Sequence, residues 1–354
     1  MPRPVAPLRG DDFTPSPPFI PSEPPYGLMP FPPVVWRGAG AHDNLLGCSP
    51  LATSMPDASS PEDLRVRLES ALRPLGSVVV AFSGGVDSAV VAAAAHRVLG
   101  ARALAVTIRG PAVAREEGER ARQAAREIGI RHLEVGLDPV SDQRYASNPS
   151  DRCYFCRSME GDALLSIARA QGLENVVDGM HRDDLGDDRP GLRAMNERNV
   201  HHPLLDAGLG KAEVRSLARL FELPNADAPS NSCLASRVAH GELITVELLG
   251  RVEKAEEELH RLGFRQVRVR TSRGKARVEV GPEEVFRLLE PRLRSEVEER
   301  LGQEGFSAVE IDPRGYHPSG APRPPACSRG APEVPLPASG PGPTQRSAET
   351  DPGR

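Results

Sequence analysis

The sequence predicts an α/β protein, in which a parallel sheet carries helices on both faces and a smaller α+β unit follows. Two observations support this prediction. Short apolar runs alternate with helical segments between residues 61 and 238, which is typical of parallel strands joined by helices. Beyond residue 239 the predicted order changes to helix, strand, strand, helix, strand, which indicates a separate small domain.

The two ends of the chain differ from its centre in composition. Of the 36 prolines among 354 residues, 14 fall in residues 1–60 and 11 in residues 313–354. Segments of this kind bury too little apolar surface to fold. We therefore predict four segments: a disordered Pro-rich extension over 1–60, an α/β domain over 61–238, a small α+β domain over 239–316 and a disordered tail over 317–354.

Charge and hydropathy argue against two classes of partner. The net charge is −5 with a pI near 6.0, and acidic and basic residues are interspersed, which disfavours a nucleic-acid partner. No apolar stretch approaches the length of a membrane span, and residues 1–54 lack the charged and apolar regions of a signal peptide. We expect a cytoplasmic protein with no membrane partner.

Hydrophobic periodicity predicts the elements in chain order. A lead-in helix is expected over residues 61–72, because Leu64, Leu68 and Leu72 recur at helical spacing. The first domain is predicted to contain strands at 78–82, 103–108, 132–137 and 175–178 and helices at 89–99, 114–128, 156–171 and 211–221. The second domain is predicted to contain strands at 264–270, 276–280 and 307–311 and helices at 245–262 and 282–301.

A glycine-rich turn joins the first strand of this sheet to the next helix. Ser83, Gly84, Gly85, Asp87 and Ser88 fill this turn, residues 83–88. The junction directs free backbone N–H groups and a helix N-terminus at one spot, and glycine allows a phosphate to approach the backbone. No Walker lysine is present, and the turn resembles the pyrophosphate loop of enzymes that cleave ATP between its α and β phosphates. We predict ATP binding here, with Asp87 holding Mg²⁺ or orienting the loop; an ordinary capped turn is the alternative.

A second polar segment follows the strand at 175–178. Ligands of such sheets bind beyond the carboxyl ends of the strands, where this segment and residues 83–88 both lie. We interpret Gly179 as a nucleotide contact and Arg189 as a substrate contact, with Asp178 beside them. A solvated loop is the alternative for each residue taken alone.

Three of the five cysteines lie in the predicted folded part. Cys153 and Cys156 form a C-x-x-C pair just before a predicted helix, and Cys233 lies on a distant loop at the ligand-binding edge. In a reducing compartment such a set indicates metal binding or catalysis. Three thiolates are able to hold a [4Fe–4S] cluster with one iron left open. There are two alternatives. One is a zinc ion with a fourth ligand from His181, His201 or His202, and the other is three reduced cysteines packed in the core.

Basic residues near the second domain are candidates for substrate binding. Arg268 and Arg270 share one face of a predicted strand, a pattern that suits a phosphate or carboxylate. Ser236 and Arg237 follow Cys233 at the ligand-binding edge and are assigned to the same role. A solvated strand face is the alternative for the two strand arginines.

An ordered set of motifs resembles the LarE family between residues 64 and 316. The motifs are residues 83–88, 151–156 (DRCYFC), 178–192, 210–215 (GKAEVR), 233–237 (CLASR), 262–270 and 276–279. Some positions depart from the family pattern, including Ala228, Ala239, His240 and Gly274. These departures concern substrate-phosphate and secondary metal contacts more than ATP use.

The resemblance implies a Rossmann-like, adenine-nucleotide α-hydrolase-like domain and an ATP-dependent, AMP-forming sulfurtransferase. It implies that the substrate is pyridinium-3,5-biscarboxylic acid mononucleotide, in assembly of the nickel-pincer cofactor of lactate racemase. The implied catalytic residues are Asp87 and Cys233. The implied cofactors are ATP, Mg²⁺ and a [4Fe–4S] cluster on Cys153, Cys156 and Cys233. A sulfide donor and homo-oligomers are implied as partners.

Two rival functions follow from the same motifs. Some tRNA thiolases of this superfamily also pair the loop with C-x-x-C and a cluster, but no RNA-binding domain or basic tract is visible here. The other rival is a nucleotide- or iron–sulfur-binding protein without turnover. A sacrificial mechanism, in which Cys233 gives up its own sulfur, requires one cysteine, whereas this chain has two more at ligand spacing.

Overall fold

The structure, a computed structural model, describes residues 60–186, 190–228 and 232–316. The segments predicted to be disordered, 1–60 and 317–354, lie outside the described residues except for Ser60. Ser60 caps the first helix, since its side chain accepts a hydrogen bond from the Asp63 N–H and Asp63 bonds back to the Ser60 backbone.

A four-stranded parallel sheet forms the first half of the described chain. Its strands are β1 (Val78–Ala81), β2 (Ala103–Arg109), β3 (Arg131–Gly136) and β4 (Asn175–Val177), in the spatial order β3-β2-β1-β4. The register places Val78 beside Ala103 and Asn175. All four carboxyl ends therefore meet at one edge of the sheet.

Helices cover both faces of this sheet, as the alternating pattern predicts. They are α1 (Pro61–Leu72), α2 (Val86–Leu99), α3 (Arg115–Ile128), α4 (Gln143–Ala146), α5 (Arg152–Gln171), α6 (Pro190–Asn196), α7 (Pro203–Asp206) and α8 (Lys211–Leu220). Val78 and Val80 pack on the side of α1, α2 and α8, whereas Val79 and Ala81 pack on the side of α5. The α/β prediction is confirmed.

A three-stranded sheet follows. Its strands are β5 (Val267–Ser272), β6 (Lys275–Val280) and β7 (Ala308–Ile311), in the order β5-β6-β7, with an antiparallel first pair and a parallel second pair. Its helices are α9 (Val246–Arg261), α10 (Val285–Leu288) and α11 (Pro291–Gln303). Leu249, Val252 and Leu259 of α9 pack on its apolar face.

Three predicted helices differ from the observed ones. Helix α2 begins at Val86, three residues before its predicted start, so Asp87 and Ser88 lie in its first turn. Helix α5 begins at Arg152, so Cys153 and Cys156 lie within its first turns and not before it; no helix breaker separates them from the rest of the helix. The helix predicted over 282–301 is divided into a short 3₁₀ turn, α10 and α11. The break precedes Pro291, because proline disfavours helical geometry in the residue before it. Helices α4, α6 and α7 are too short for periodicity to predict.

Candidate active site

A cavity of about 520 Å³ opens at the carboxyl edge of the parallel sheet. It is lined by all of residues 83–88, by Asp178 and Gly179 after β4, and by Lys211 at the start of α8. The three cysteines predicted to act together, Cys153, Cys156 and Cys233, line the same cavity. One space therefore joins the predicted ATP site to the predicted sulfur site.

The loop at residues 83–88 has the conformation that its glycines permit. Gly84 has φ +78°, and a Cβ atom there would lie 2.7 Å from the backbone of Ala121. The Ser83 and Ser88 hydroxyls lie 3.2 Å apart, and Ser88 also donates to the Gly85 carbonyl. The loop leads directly into α2, so the helix N-terminus points into the cavity, as anion binding requires.

Lys211 supplies the cation that the loop itself lacks. Its Nζ atom lies 2.7 Å from both carboxylate oxygens of Asp87, although 124 residues separate the two in sequence. Our sequence reasoning did not assign Lys211 to the site. The available signal was a lysine directly after Gly210, at the start of a helix following a carboxyl-edge loop. The pair lies beside the predicted phosphate-binding residues 83–88. The opposite charges of Lys211 and Asp87 neutralise each other when no ligand is bound.

Gly179 allows the loop after β4 to approach the start of α2. A Cβ atom at Gly179 would lie 2.7 Å from the Ser88 nitrogen and 2.9 Å from the Asp87 carbonyl carbon. Asp178 beside it is buried, and its carboxylate contacts the His202 ring at 2.7 Å and the Arg157 guanidinium at 3.3 Å. Asp178 therefore holds the loop in place as well as lining the cavity.

The three cysteines lie on two segments that both line the cavity. Cys153 is exposed, whereas Cys156 and Cys233 are half-buried. Burial raises the pKa of the Cys156 thiol to about 12, with a further contribution from Glu160, and burial also raises the pKa of Cys233. The charge of Cys153 contributes to the raised pKa of both Cys156 and Cys233, and all three cysteines line the same cavity.

Two further side chains line the cavity beside these cysteines. Arg152 is buried, and its guanidinium donates to the side-chain oxygen of Asn148, whose amide nitrogen donates to the Ala239 carbonyl at 2.8 Å. Tyr145, on α4, is 1% exposed, and its hydroxyl has no hydrogen-bond partner in the described part of the chain. Sequence reasoning missed both residues, although Arg152 lies inside the DRCYFC motif.

Four of the remaining predicted substrate residues, those that the structure describes, do not line the cavity. Arg237 is buried and forms a two-pronged ion pair with Glu256, at 2.9 and 3.1 Å. Arg268 stacks over the Tyr316 ring at 4.9 Å, and Arg270 pairs with Glu279 at 2.7 Å. The Ser236 hydroxyl donates to the Cys233 carbonyl, and Arg189 lies outside the described residues. Substrate binding by these residues stays a prediction.

The histidines considered for zinc contact partners other than the cysteines. His201 contacts Asn175, His202 contacts Asp178 and Asn196, and His181 lies 3.9 Å from Asp87. Within residues 60–186, 190–228 and 232–316, no three His, Cys, Asp or Glu side chains are grouped closely enough to hold a metal ion. In this part of the chain there is also no helix long and apolar enough to span a membrane.

Comparison with known proteins agrees with this geometry. Residues 64–152, from α1 to the start of α5, match the NAD synthase family. The chain is 34% identical over 253 residues to pyridinium-3,5-bisthiocarboxylic acid mononucleotide synthase of Lactiplantibacillus plantarum, a match that covers 71% of this chain and 91% of that protein. The chain belongs to the LarE family of pyrophosphate-loop proteins.

Two other relatives extend the LarE-family match without adding a function. An uncharacterised Synechocystis protein is 42% identical over 242 residues, which cover 68% of this chain and 90% of the relative. An uncharacterised protein of Methanocaldococcus jannaschii is 29% identical over 203 residues, which cover 57% and 77%. The matches to the NAD synthase family and to the Lactiplantibacillus plantarum protein support an ATP-using enzyme with a sulfurtransferase role in nickel-pincer biosynthesis.

Proposed function

We propose that this LarE-family chain is an AMP-forming sulfurtransferase that converts a carboxylate of pyridinium-3,5-biscarboxylic acid mononucleotide into a thiocarboxylate. The observation that carries the proposal is the single cavity that residues 83–88 and all three cysteines line. Carboxylate activation and sulfur delivery must act on the same carbon, so they require one shared space. The name of the Lactiplantibacillus plantarum relative supplies the substrate class.

The first half of the reaction is adenylation of the carboxylate. The backbone N–H groups of residues 83–88 and the start of α2 bind the β and γ phosphates, while the substrate carboxylate attacks the α phosphorus. Asp87 is the residue that we propose holds the Mg²⁺ accompanying ATP. Lys211, which neutralises Asp87 in the absence of ligand, then donates to the departing pyrophosphate.

The second half is displacement of AMP by sulfur. Adenylation converts the carboxylate oxygen into a good leaving group, and a sulfur nucleophile attacks the acyl carbon. This sulfur arrives from the part of the cavity wall that Cys153, Cys156 and Cys233 form. The Arg237 Nη1 atom donates to the Cys233 carbonyl at 2.9 Å and so fixes the loop that carries Cys233.

The donor set fits the [4Fe–4S] cluster in ligand type. Three free thiols line one cavity, and a cluster takes each thiolate on a separate iron, so its ligands do not converge on one ion. We propose that Cys153, Cys156 and Cys233 hold it. When bound, a cluster with three protein ligands supplies one open iron for an exogenous sulfide. Helix α5 presents two of the ligands, and the Cys233 loop presents the third.

The experiment that tests the adenylation half is exchange of labelled pyrophosphate into ATP. The proposal predicts exchange that requires the pyridinium mononucleotide, with AMP and pyrophosphate as products. Formation of ADP and phosphate contradicts it. Iron and sulfide analysis after anaerobic purification tests the cluster separately: Cys153→Ala should lose iron and sulfur transfer while keeping exchange. A Cys153→Ala protein that transfers sulfur at the wild-type rate contradicts the cluster assignment and favours sacrifice of the Cys233 sulfur.

A further inference from the structure

Two buried polar groups beside the cysteines have no role in the proposed reaction so far. Arg152 is 5% exposed, and within the described residues its side chain bonds only to Asn148 and forms no ion pair with a carboxylate. The Tyr145 hydroxyl is buried without any partner in the same described ranges. Burying such groups costs free energy unless a ligand satisfies them. Both residues line the cavity, where a bound ligand would offer acceptor atoms to them.

The charge of the site identifies the kind of ligand atom. A guanidinium and a phenol hydroxyl are both hydrogen-bond donors, and neither has a described acceptor on the cavity side. An oxygen that carries negative charge beside the sulfur atoms satisfies both groups.

We propose that the Tyr145 hydroxyl and the Arg152 guanidinium form an oxyanion hole for the sulfur-transfer half of the reaction. This inference rests on the proposed function. When hydrosulfide attacks the acyl carbon, a C–S bond forms and the C=O electron pair moves onto oxygen, which becomes an alkoxide. Collapse of the alkoxide breaks the C–O bond to AMP, which leaves with the electron pair, and the thioacid loses its proton to give the thiocarboxylate.

The location of the pair agrees with this step. The acyl carbon must come within bonding distance of the sulfur, so its oxygen lies in the cavity that Tyr145, Arg152 and the cysteines all line, with Arg152 directly before Cys153 on α5. Asn148 positions the guanidinium: it is fully buried, and its amide nitrogen donates to the Ala239 carbonyl. Donors fixed in this way cost no reorganisation when charge develops on the oxygen.

The test measures adenylation and sulfur transfer separately in the Tyr145→Phe variant. Because the hydroxyl has no hydrogen-bond partner among the described residues, its removal should leave folding and iron content unchanged. We expect substrate-dependent pyrophosphate exchange at the wild-type rate, and single-turnover thiocarboxylate formation roughly 100-fold slower, since one oxyanion donor is lost. Arg152→Lys keeps the positive charge but loses the planar guanidinium. It should slow sulfur transfer and leave pyrophosphate exchange unchanged.

Tyr154→Phe is the matched control. Tyr154 lies on the same helix as the cysteines but does not line the cavity, and its hydroxyl bonds to Glu197 at 2.6 Å. It should retain both half-reactions.

Two results overturn the inference. Sulfur transfer at the wild-type rate in Tyr145→Phe shows that the hydroxyl does not act on the oxyanion. A parallel fall of exchange and transfer shows instead that the pair anchors the substrate carboxylate in its ground state. A wild-type protein without substrate-dependent exchange contradicts the proposed function itself, and the inference falls with it.

Discussion

Lys211 Nζ lies 2.7 Å from each carboxylate oxygen of Asp87, and both residues line the cavity with the predicted ATP-binding turn. The two side chains come from the starts of different helices, α8 and α2, so the contact depends on the tertiary fold. In the Walker loop a lysine is part of the phosphate-binding motif itself. Here the fold brings the lysine to the loop from outside the motif.

Replacement of Lys211 should therefore affect adenylation specifically. Lys211→Met should lower pyrophosphate exchange roughly 100-fold, because a preorganised cation is lost from the developing pyrophosphate. Lys254→Met is the control, since Lys254 lies on the exposed side of α9. Asp87→Ala should lose exchange to a similar degree, and the double variant should lose little more, because residues that act as a unit are not additive. Strictly additive losses would show that the pair does not act together.

Gly179 should not tolerate a side chain. Gly179→Ala should destabilise the fold by about 1–3 kcal/mol, as overpacking does, because Cβ would meet the Ser88 nitrogen at 2.7 Å. It should also raise the KM for ATP, since the start of α2 must shift.

The matched substitution for Gly179→Ala is Gly250→Ala, inside α9, where a Cβ atom meets nothing within 4 Å. That variant should stabilise the protein by roughly 0.5–1 kcal/mol. Urea denaturation of both proteins measures the two effects. Equal effects on stability would contradict the close approach at Gly179.

Sequence reasoning predicted the features that rest on a repeating pattern of residues, and it missed functional residues that occur singly. Alternation of apolar strands and helices gave the parallel sheet, and the glycines gave the loop at residues 83–88. Lys211, Tyr145 and Arg152 were missed, because each is a single polar residue whose position depends on segments far away in sequence. The C-x-x-C pair was placed before α5, although its residues continue the helix.

The arginines show a second limit of sequence reasoning. Alternation correctly placed Arg268 and Arg270 in β5, but a pattern does not reveal which partner neutralises a charge. Glu279, on the neighbouring strand, pairs with Arg270, and Glu256, on α9, pairs with Arg237. These carboxylates come from other elements, so no local signal indicated them.

The Arg237–Glu256 pair should matter for stability. Arg237→Met should cost about 3–5 kcal/mol of unfolding free energy, because it leaves the buried Glu256 carboxylate without its partner. Arg219→Met is the control, since Arg219 and its partner Asp227 are both exposed and the pair should contribute less than about 1 kcal/mol. Chemical denaturation measures both losses. A loss at Arg237 as small as that at Arg219 would return Arg237 to the predicted substrate-binding role.

The Asp312–Arg314 pair gives a pH-dependent prediction. Hydrogen bonds from the Arg314 guanidinium lower the pKa of Asp312 to about 2. A lowered folded-state pKa stabilises the protein above the unfolded-state pKa of about 4, and this stabilisation is lost as the pH falls to about 2. Asp312→Asn should cost about 1 kcal/mol at pH 7, allowing for solvent around Arg314, and nothing near pH 2. A cost that does not change with pH would contradict the lowered pKa.

The central claim is that ATP cleavage and sulfur transfer occur on one substrate in one cavity. The most direct measurement is the ratio of AMP to thiocarboxylate in a single anaerobic reaction with ATP, Mg²⁺, sulfide and pyridinium-3,5-biscarboxylic acid mononucleotide. We predict one AMP and one pyrophosphate for each carboxylate oxygen replaced by sulfur, over more than one turnover for each chain. Formation of AMP without any thiocarboxylate, or thiocarboxylate without consumption of ATP, would contradict the account.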